Sequence, residues 1–175
     1  MVNVRKMTLG DVNSVAAVHA STFPRQSDSK DWITCNFSAY PRIQYFIAEK
    51  DDEIIGFIEW LQKSGFRKEA VVELEQLGVK PTKQRQGVGR ILIEKSLVML
   101  SDQLSSRGST LKHVIVTTRA DNDAQNLYKS ALNAQVEATI TNLYSADEVL
   151  MIARNVLVSK DNHAILPSAD RAGKF

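Results

Sequence analysis

Gln84-Arg85-Gln86-Gly87-Val88-Gly89 is the most informative segment of this chain. Immediately before it runs Val71-Val72-Glu73-Leu74-Glu75-Gln76-Leu77-Gly78-Val79, an apolar-acidic stretch that reads as a strand. After it, a helical pattern extends from about Arg90 to Leu104. The order strand, glycine loop, helix aims several backbone N–H groups of the loop and first helical turn at one point. Those donors have no intrahelical partners, and the helix dipole adds partial positive charge. An anion site results, most simply one for phosphate. Gly87 and Gly89 lack a Cβ, which lets a phosphate approach the backbone closely. Arg85 and Arg90 flank the loop and can pair with phosphate oxygens. The spacing is neither G-x-x-x-x-G-K-[ST] nor G-x-G-x-x-G, so neither common nucleotide loop is present.

The spacing Gln84-x-x-Gly87-x-Gly89, following an apolar residue and a proline-containing turn (Val79-Lys80-Pro81-Thr82), resembles the signature of the GCN5-related N-acetyltransferases, the GNAT family. The resemblance implies that Gln84, Arg85, Gln86, Gly87, Val88, Gly89 and Arg90 grip the pyrophosphate of acetyl-coenzyme A. It also implies a bulged strand at Leu77, Gly78 and Val79, splayed from the next strand. The opened N–H groups of that segment contact the acetyl carbonyl and the pantetheine arm. Gly78 tolerates such a bulge; a plain strand glycine is the other reading.

The rest of the chain is consistent with one ordinary domain. Its 175 residues are 43% hydrophobic and 24% charged, enough to bury a core. A net charge of +2 implies no strong polyanion partner. The lone Cys35 excludes an intramolecular disulfide. No apolar run approaches the ~20 residues that span a bilayer. Met1-Val2-Asn3-Val4-Arg5-Lys6 lacks the apolar core of a signal peptide, so a cytoplasmic location is the default. Neither a membrane nor a nucleic-acid partner is expected. The basic cluster Lys80, Lys83, Arg85 and Arg90 is confined to the glycine loop, which favours cofactor phosphate over nucleic acid.

Taken in order, residues 2–5 read as a strand and Val12 to Ser21 as a helix broken by Phe23-Pro24. A second helix is predicted from Asp28 to Phe37, with Trp32 and Ile33 inward. Gln44 to Glu49 and Glu53 to Gln62 form a predicted hairpin turning at Asp51-Asp52. Glu69 to Val79 and Leu111 to Thr118 are further strands, and Val114-Ile115-Val116 suggests burial on both faces. A helix from Ala124 to Ala134 and strands at 135–142 and 149–153 complete the series. The order β-α-α-β-β-β-α-β-α-β-β is that of the GNAT fold, an α/β arrangement with a mixed, mostly antiparallel sheet of about seven strands flanked by helices. The resemblance covers residues 1–155; residues 156–175 read as a polar tail.

Amine acetylation needs a proton acceptor, donors for the oxyanion and an acid for the departing thiolate. Glu73 and Glu75 lie two apart on one strand and are expected on one face with Leu77 and Val79. Either the strand end is solvated and the pair inert, or Glu75, nearer the loop, is the base or positions a water. The resemblance favours Glu75. Tyr128 lies in Asn122-Asp123-Ala124-Gln125-Asn126-Leu127-Tyr128, where the family carries a tyrosine beside the sulfur as general acid. A half-buried structural tyrosine is the alternative. Asn122, or Asp121 one residue earlier, stands where the family asparagine bonds the pantetheine arm. The family's Gly-Phe after this helix is replaced by Leu132-Asn133-Ala134.

His19, His113 and His163 have no metal-ligand spacing, and no metal is expected. Cys35 has no activating partner. Trp32, Phe37, Tyr40 and Tyr45 are read as core, near where the family builds its acceptor pocket. The resemblance therefore implies direct acetyl transfer from acetyl-coenzyme A to an amine, first a small-molecule primary amine. The runner-up is the N-terminus or a lysine of a protein. A non-catalytic acyl-coenzyme A module and a nucleotide-binding module are the rivals from other classes. Homodimers are common on this fold, and nothing in the sequence decides the point.

Overall fold

The computed structural model describes residues 1–158 and the backbone of 165–166. Its strands are β1 (Asn3–Lys6), β2 (Ile43–Lys50), β3 (Glu53–Gln62), β4 (Glu69–Val79), β5 (Thr110–Arg119), β6 (Gln135–Ile140) and β7 (Glu148–Ala153). The helices are α1 (Val12–Thr22), α2 (Ser29–Phe37), α3 (Val88–Ser106) and α4 (Ala124–Leu132). The seven strands form one sheet in the order β1-β2-β3-β4-β5-β7-β6. Only β4 and β5 run parallel; the crossover between them is α3. The β2–β3 hairpin turns on Asp51 and Asp52, both at positive φ, which matches a two-residue turn to the strand twist.

Two cores lie on opposite faces. Strand alternation puts Phe46, Ile58, Trp60, Val72, Leu74, Val114 and Met151 against Leu92, Ile93 and Leu97 of α3 and Leu132 of α4. The indole of Trp60 donates to Ser96 Oγ at 2.8 Å, which ties β3 to α3 in the dry interior. On the other face Tyr45, Ile47 and Phe57 meet Val15 and Val18 of α1 and Ile33 of α2. The helices of this face lie over β2 to β4, leaving the β5 end of the sheet more open. Ile115 is accordingly half-buried while Val114 and Val116 are buried, so the expected burial of both faces is corrected to one. Trp32 is likewise not inward: it is 40% exposed, whereas Ile33 is fully buried.

The core reaches slightly past Ala153. Val156 is buried and its N–H donates to the Lys112 carbonyl at 2.9 Å. A short strand β8 (Leu157–Val158) pairs with β9 (Ile165–Leu166). The expected polar tail otherwise lies outside the described residues, as does His163.

Candidate functional site

A break in strand alternation makes the site. On β4, Gln76 pairs with Glu59 and Leu74 with Trp60, so Glu75 is an extra residue, a β-bulge. The bulge resets the alternation. Leu77 and Val79 join Leu74 on the α3 face, while Glu73 lies on the opposite face. The shared face expected for Glu73, Glu75, Leu77 and Val79 is thus corrected, and the irregularity falls at Glu75 rather than at Gly78. Gly78 is instead pressed onto Phe57: a Cβ there would sit 2.5 Å from the ring.

The ladder between β4 and β5 ends at Leu74–Val116, although β5 continues to Arg119 paired with β7. From Glu75 to Val79, β4 therefore has β3 on one side and open space on the other. The opening is a cavity of about 850 Å³. Its floor is Glu75, Gln76, Leu77 and Val79; Thr117 to Arg119 form the opposite wall. Gln84, Arg85 and Gly87 to Arg90 close one end; Asn122, Leu127 and Tyr128 of the α4 segment form a side. Thr22 to Gln26, after α1, form another. Of the residues expected to bind a cofactor, Gly78 and Gln86 do not line this cavity. The Thr22–Gln26 wall escaped sequence reasoning; the Phe23-Pro24 helix break was its only trace.

The loop end is built by backbone. Gln84 Nε2 donates to the Val79 carbonyl at 3.0 Å, fastening the loop to the strand end. Arg85 and Gly87 both have positive φ (58° and 80°), which reverses the chain into α3. A Cβ on Gly87 would meet nothing within 4 Å, so the space above it is open. Gly89 has a different reason: a Cβ there would lie 3.1 Å from Leu127, so its absence lets α3 pack on α4. Among the described residues, the N–H groups of 85–90 make no backbone hydrogen bond within the protein. Six donors at a helix N-terminus with an open approach fit an anionic group such as a pyrophosphate. The Arg90 guanidinium is already engaged, bonding Ser130 Oγ at 2.6 Å and pairing with Glu94 at 3.3 Å. Arg85 and Lys83 line the cavity with no carboxylate partner among the described residues.

At the other end, Glu75 is exposed to the cavity, and its carboxyl is shifted up by burial and then by the charge of Glu73. Glu73 is held by Lys63 at 2.8 Å and Thr117 Oγ1 at 3.3 Å. That engagement leaves Glu75 as the freer carboxylate. Tyr128 is buried to 6% exposure, and burial pushes its hydroxyl up to about 12. Asn122 Nδ2 donates to Thr118 Oγ1 at 2.9 Å, and its Oδ1 accepts from the Ala124 N–H at 3.0 Å, capping α4. Asp121 points elsewhere, into an ion pair with Arg119 at 2.8 Å.

The sequence model of the Acetyltransferase (GNAT) family matches residues 13–133. The chain belongs to the GNAT acetyltransferase family. No curated protein matches its sequence significantly. Solved structures share the GNAT fold at low identity. The ribosomal-protein-S18-alanine N-acetyltransferase from Escherichia coli is 19% identical, with a TM-score of 0.67 over 92% of this chain and 98% of that one. An aminoglycoside 6'-N-acetyltransferase complexed with coenzyme A is 14% identical, with a TM-score of 0.69 over 89% and 98%. The PaiA N-acetyltransferase from Thermoplasma acidophilum, in complex with coenzyme A, is 17% identical, with a TM-score of 0.61 over 88% and 99%. Among the described residues, no helix of this GNAT protein is long and apolar enough to cross a membrane.

Proposed function

We propose that this GNAT protein transfers the acetyl group of acetyl-coenzyme A directly to the primary amine of a small molecule. The observation that carries this reading is one cavity lined by the donor-rich loop at Gly87, by Glu75 and by Tyr128. The N–H groups of 85–90, with Arg85 and Lys83, hold the pyrophosphate. The unpaired edge from Leu77 to Val79 receives the pantetheine arm. Asn122 keeps the α4 turn in shape and has one amide proton left for that arm. Glu75 takes a proton from the incoming ammonium, directly or through water. The free amine then attacks the thioester carbonyl, Tyr128 protonates the departing thiolate, and the second nitrogen proton passes through water to the Tyr128 phenolate. A phenol pushed up to about 12 keeps its proton at neutral pH and so is present as the acid for the departing thiolate, whose own basicity the same dry surroundings raise. Coenzyme A complexes of two fold neighbours support the cofactor assignment.

Calorimetric titration with acetyl-coenzyme A, ATP and NAD, followed by thiol release on a panel of amines, tests the reading. Selective binding of acetyl-coenzyme A with thiol release is the expected result. Binding without thiol release on any amine indicates the non-catalytic module instead. Comparable affinity for ATP or NAD indicates a nucleotide site.

A further inference from the structure

Behind the acceptor end of the cavity lies a group of polar side chains that the proposed chemistry does not use. Tyr45, Glu59 and Gln76 stand in one row across β2, β3 and β4, each directly paired with the next. Glu59 is fully buried, and neither carboxylate oxygen makes a hydrogen bond within the protein. The Tyr45 hydroxyl neighbours it and is also buried without a hydrogen bond of normal geometry. His19, fully buried on α1, presents an unpartnered Nε2 beside Gln26 and Gln76. Four buried atoms in one place without a hydrogen bond of good geometry are uncommon, since an unmade bond costs about 1–3 kcal/mol. Between this group and the cavity stand Gln26 and Gln76, bonded to each other at 3.1 Å, with Trp32 Nε1 donating to Gln76 at 3.2 Å. Both glutamines line the cavity. They are unbranched side chains, and their movement would open a path from the cavity to Glu59.

The bulge adds a second fact. Glu75 and Gln76 together face Glu59 across the β3–β4 ladder, so the exposed carboxylate and the buried one lie one strand apart. Glu75 is also close enough for its charge to act on Glu59. We propose that Glu59 is a specificity residue that binds the second ammonium of a short diamine or polyamine acceptor, with Tyr45 and His19 completing its surroundings. This rests on the acetyltransferase reading above. A buried carboxyl that lacks hydrogen-bond partners gains both a donor and a counter-charge when an ammonium replaces its proton. Neighbouring strands stand about 4.8 Å apart, which fits an acceptor whose two nitrogens are separated by a short spacer of roughly 5–7 Å. Burial holds Glu59 protonated up to about pH 8, so an ammonium binding there displaces one proton to solvent.

The test compares 1,4-diaminobutane with n-butylamine in wild type and Glu59→Gln. In wild type, kcat/KM favours the diamine by about tenfold or more; in the variant that preference falls to near one, through KM. Calorimetric titration of wild type with the diamine alone, in buffers of different ionisation enthalpy at pH 7, shows release of close to one proton. No diamine preference in wild type, or a preference that survives Glu59→Gln, overturns the proposal. Should thiol release fail for every amine, the acetyltransferase reading falls; the calorimetric arm still decides whether Glu59 binds a diammonium. A peptide N-terminus preferred over both amines also overturns it.

Discussion

The two ends of the cavity are made in opposite ways. At the loop end, contiguous residues from Gln84 to Arg90 supply backbone donors, and side chains mainly fasten the loop. At the Glu75 end, Tyr45, Glu59, Gln76, His19 and Gln26 come from five separate segments, and their side chains supply the polar groups. The first end is a local property of a strand–loop–helix run. The second exists only because three strands and a helix pack together. Damage to the two ends is therefore expected to look different: loss of cofactor affinity at one, loss of turnover, acceptor choice or pH behaviour at the other.

The largest expected effect is at the reacting groups. Tyr128→Phe should lower kcat about 10²-fold or more while calorimetric affinity for acetyl-coenzyme A stays within about twofold. A loss of affinity as large as the loss of kcat would place Tyr128 in binding instead. Glu75→Gln should lower kcat/KM by a similar factor and remove the acid limb of its pH profile. That limb reports a carboxyl shifted upward, so in wild type activity falls as pH drops through a value above the ordinary carboxylate range.

Next comes the loop. Gly87→Val forces a β-branched residue to φ 80° and places a side chain where the approach is open. Acetyl-coenzyme A affinity should fall by about tenfold or more, with a stability loss of roughly 1–2 kcal/mol seen in urea unfolding. Arg85→Ala should weaken binding several-fold and flatten its salt dependence, since it removes a charge but no backbone donor.

A stability measurement sharpens the contrast from the other end. Glu59 titrates near 8 when folded and in the ordinary carboxylate range when unfolded. Between those values the folded chain holds a proton that the unfolded chain has released, so stability falls as pH rises through that window. Glu59→Gln should abolish this slope and gain up to about 4 kcal/mol above pH 8. Urea unfolding at pH 5, 7 and 9 checks it; equal slopes in wild type and variant would refute the assignment. The smallest effect on function is expected at a site remote from both ends. Ser96→Ala leaves the buried Trp60 N–H without its acceptor and should cost about 1–3 kcal/mol without altering acceptor preference.

The element order and sheet type were legible because period-2 and helical patterns are local and strong, and the glycine loop carries its meaning in consecutive residues. The burial of Trp32 and Ile115 was misjudged for a related reason: a strand or helix pattern says which residues share a face, not whether another element covers it. Glu59 shows the same limit. In Ile55-Gly56-Phe57-Ile58-Glu59-Trp60 a lone acid reads as one polar position on a strand. Its burial follows from α1 and α2 lying over that face of the sheet.

By itself the sequence determined the strand–loop–helix run, the turn at Asp51-Asp52, the identity of the flanking cations and the candidates Glu75 and Tyr128. These rest on neighbours along the chain, so short-range sterics and hydrogen bonding settle them. Packing determined the rest. The bulge at Glu75 depends on register with β3. The choice of Arg85 and Lys83 over Arg90 as free cations depends on Ser130 and Glu94. The polar group at Glu59 depends on side chains from distant segments meeting where water is excluded. Such features depend on which surfaces meet, and no run of adjacent residues records that.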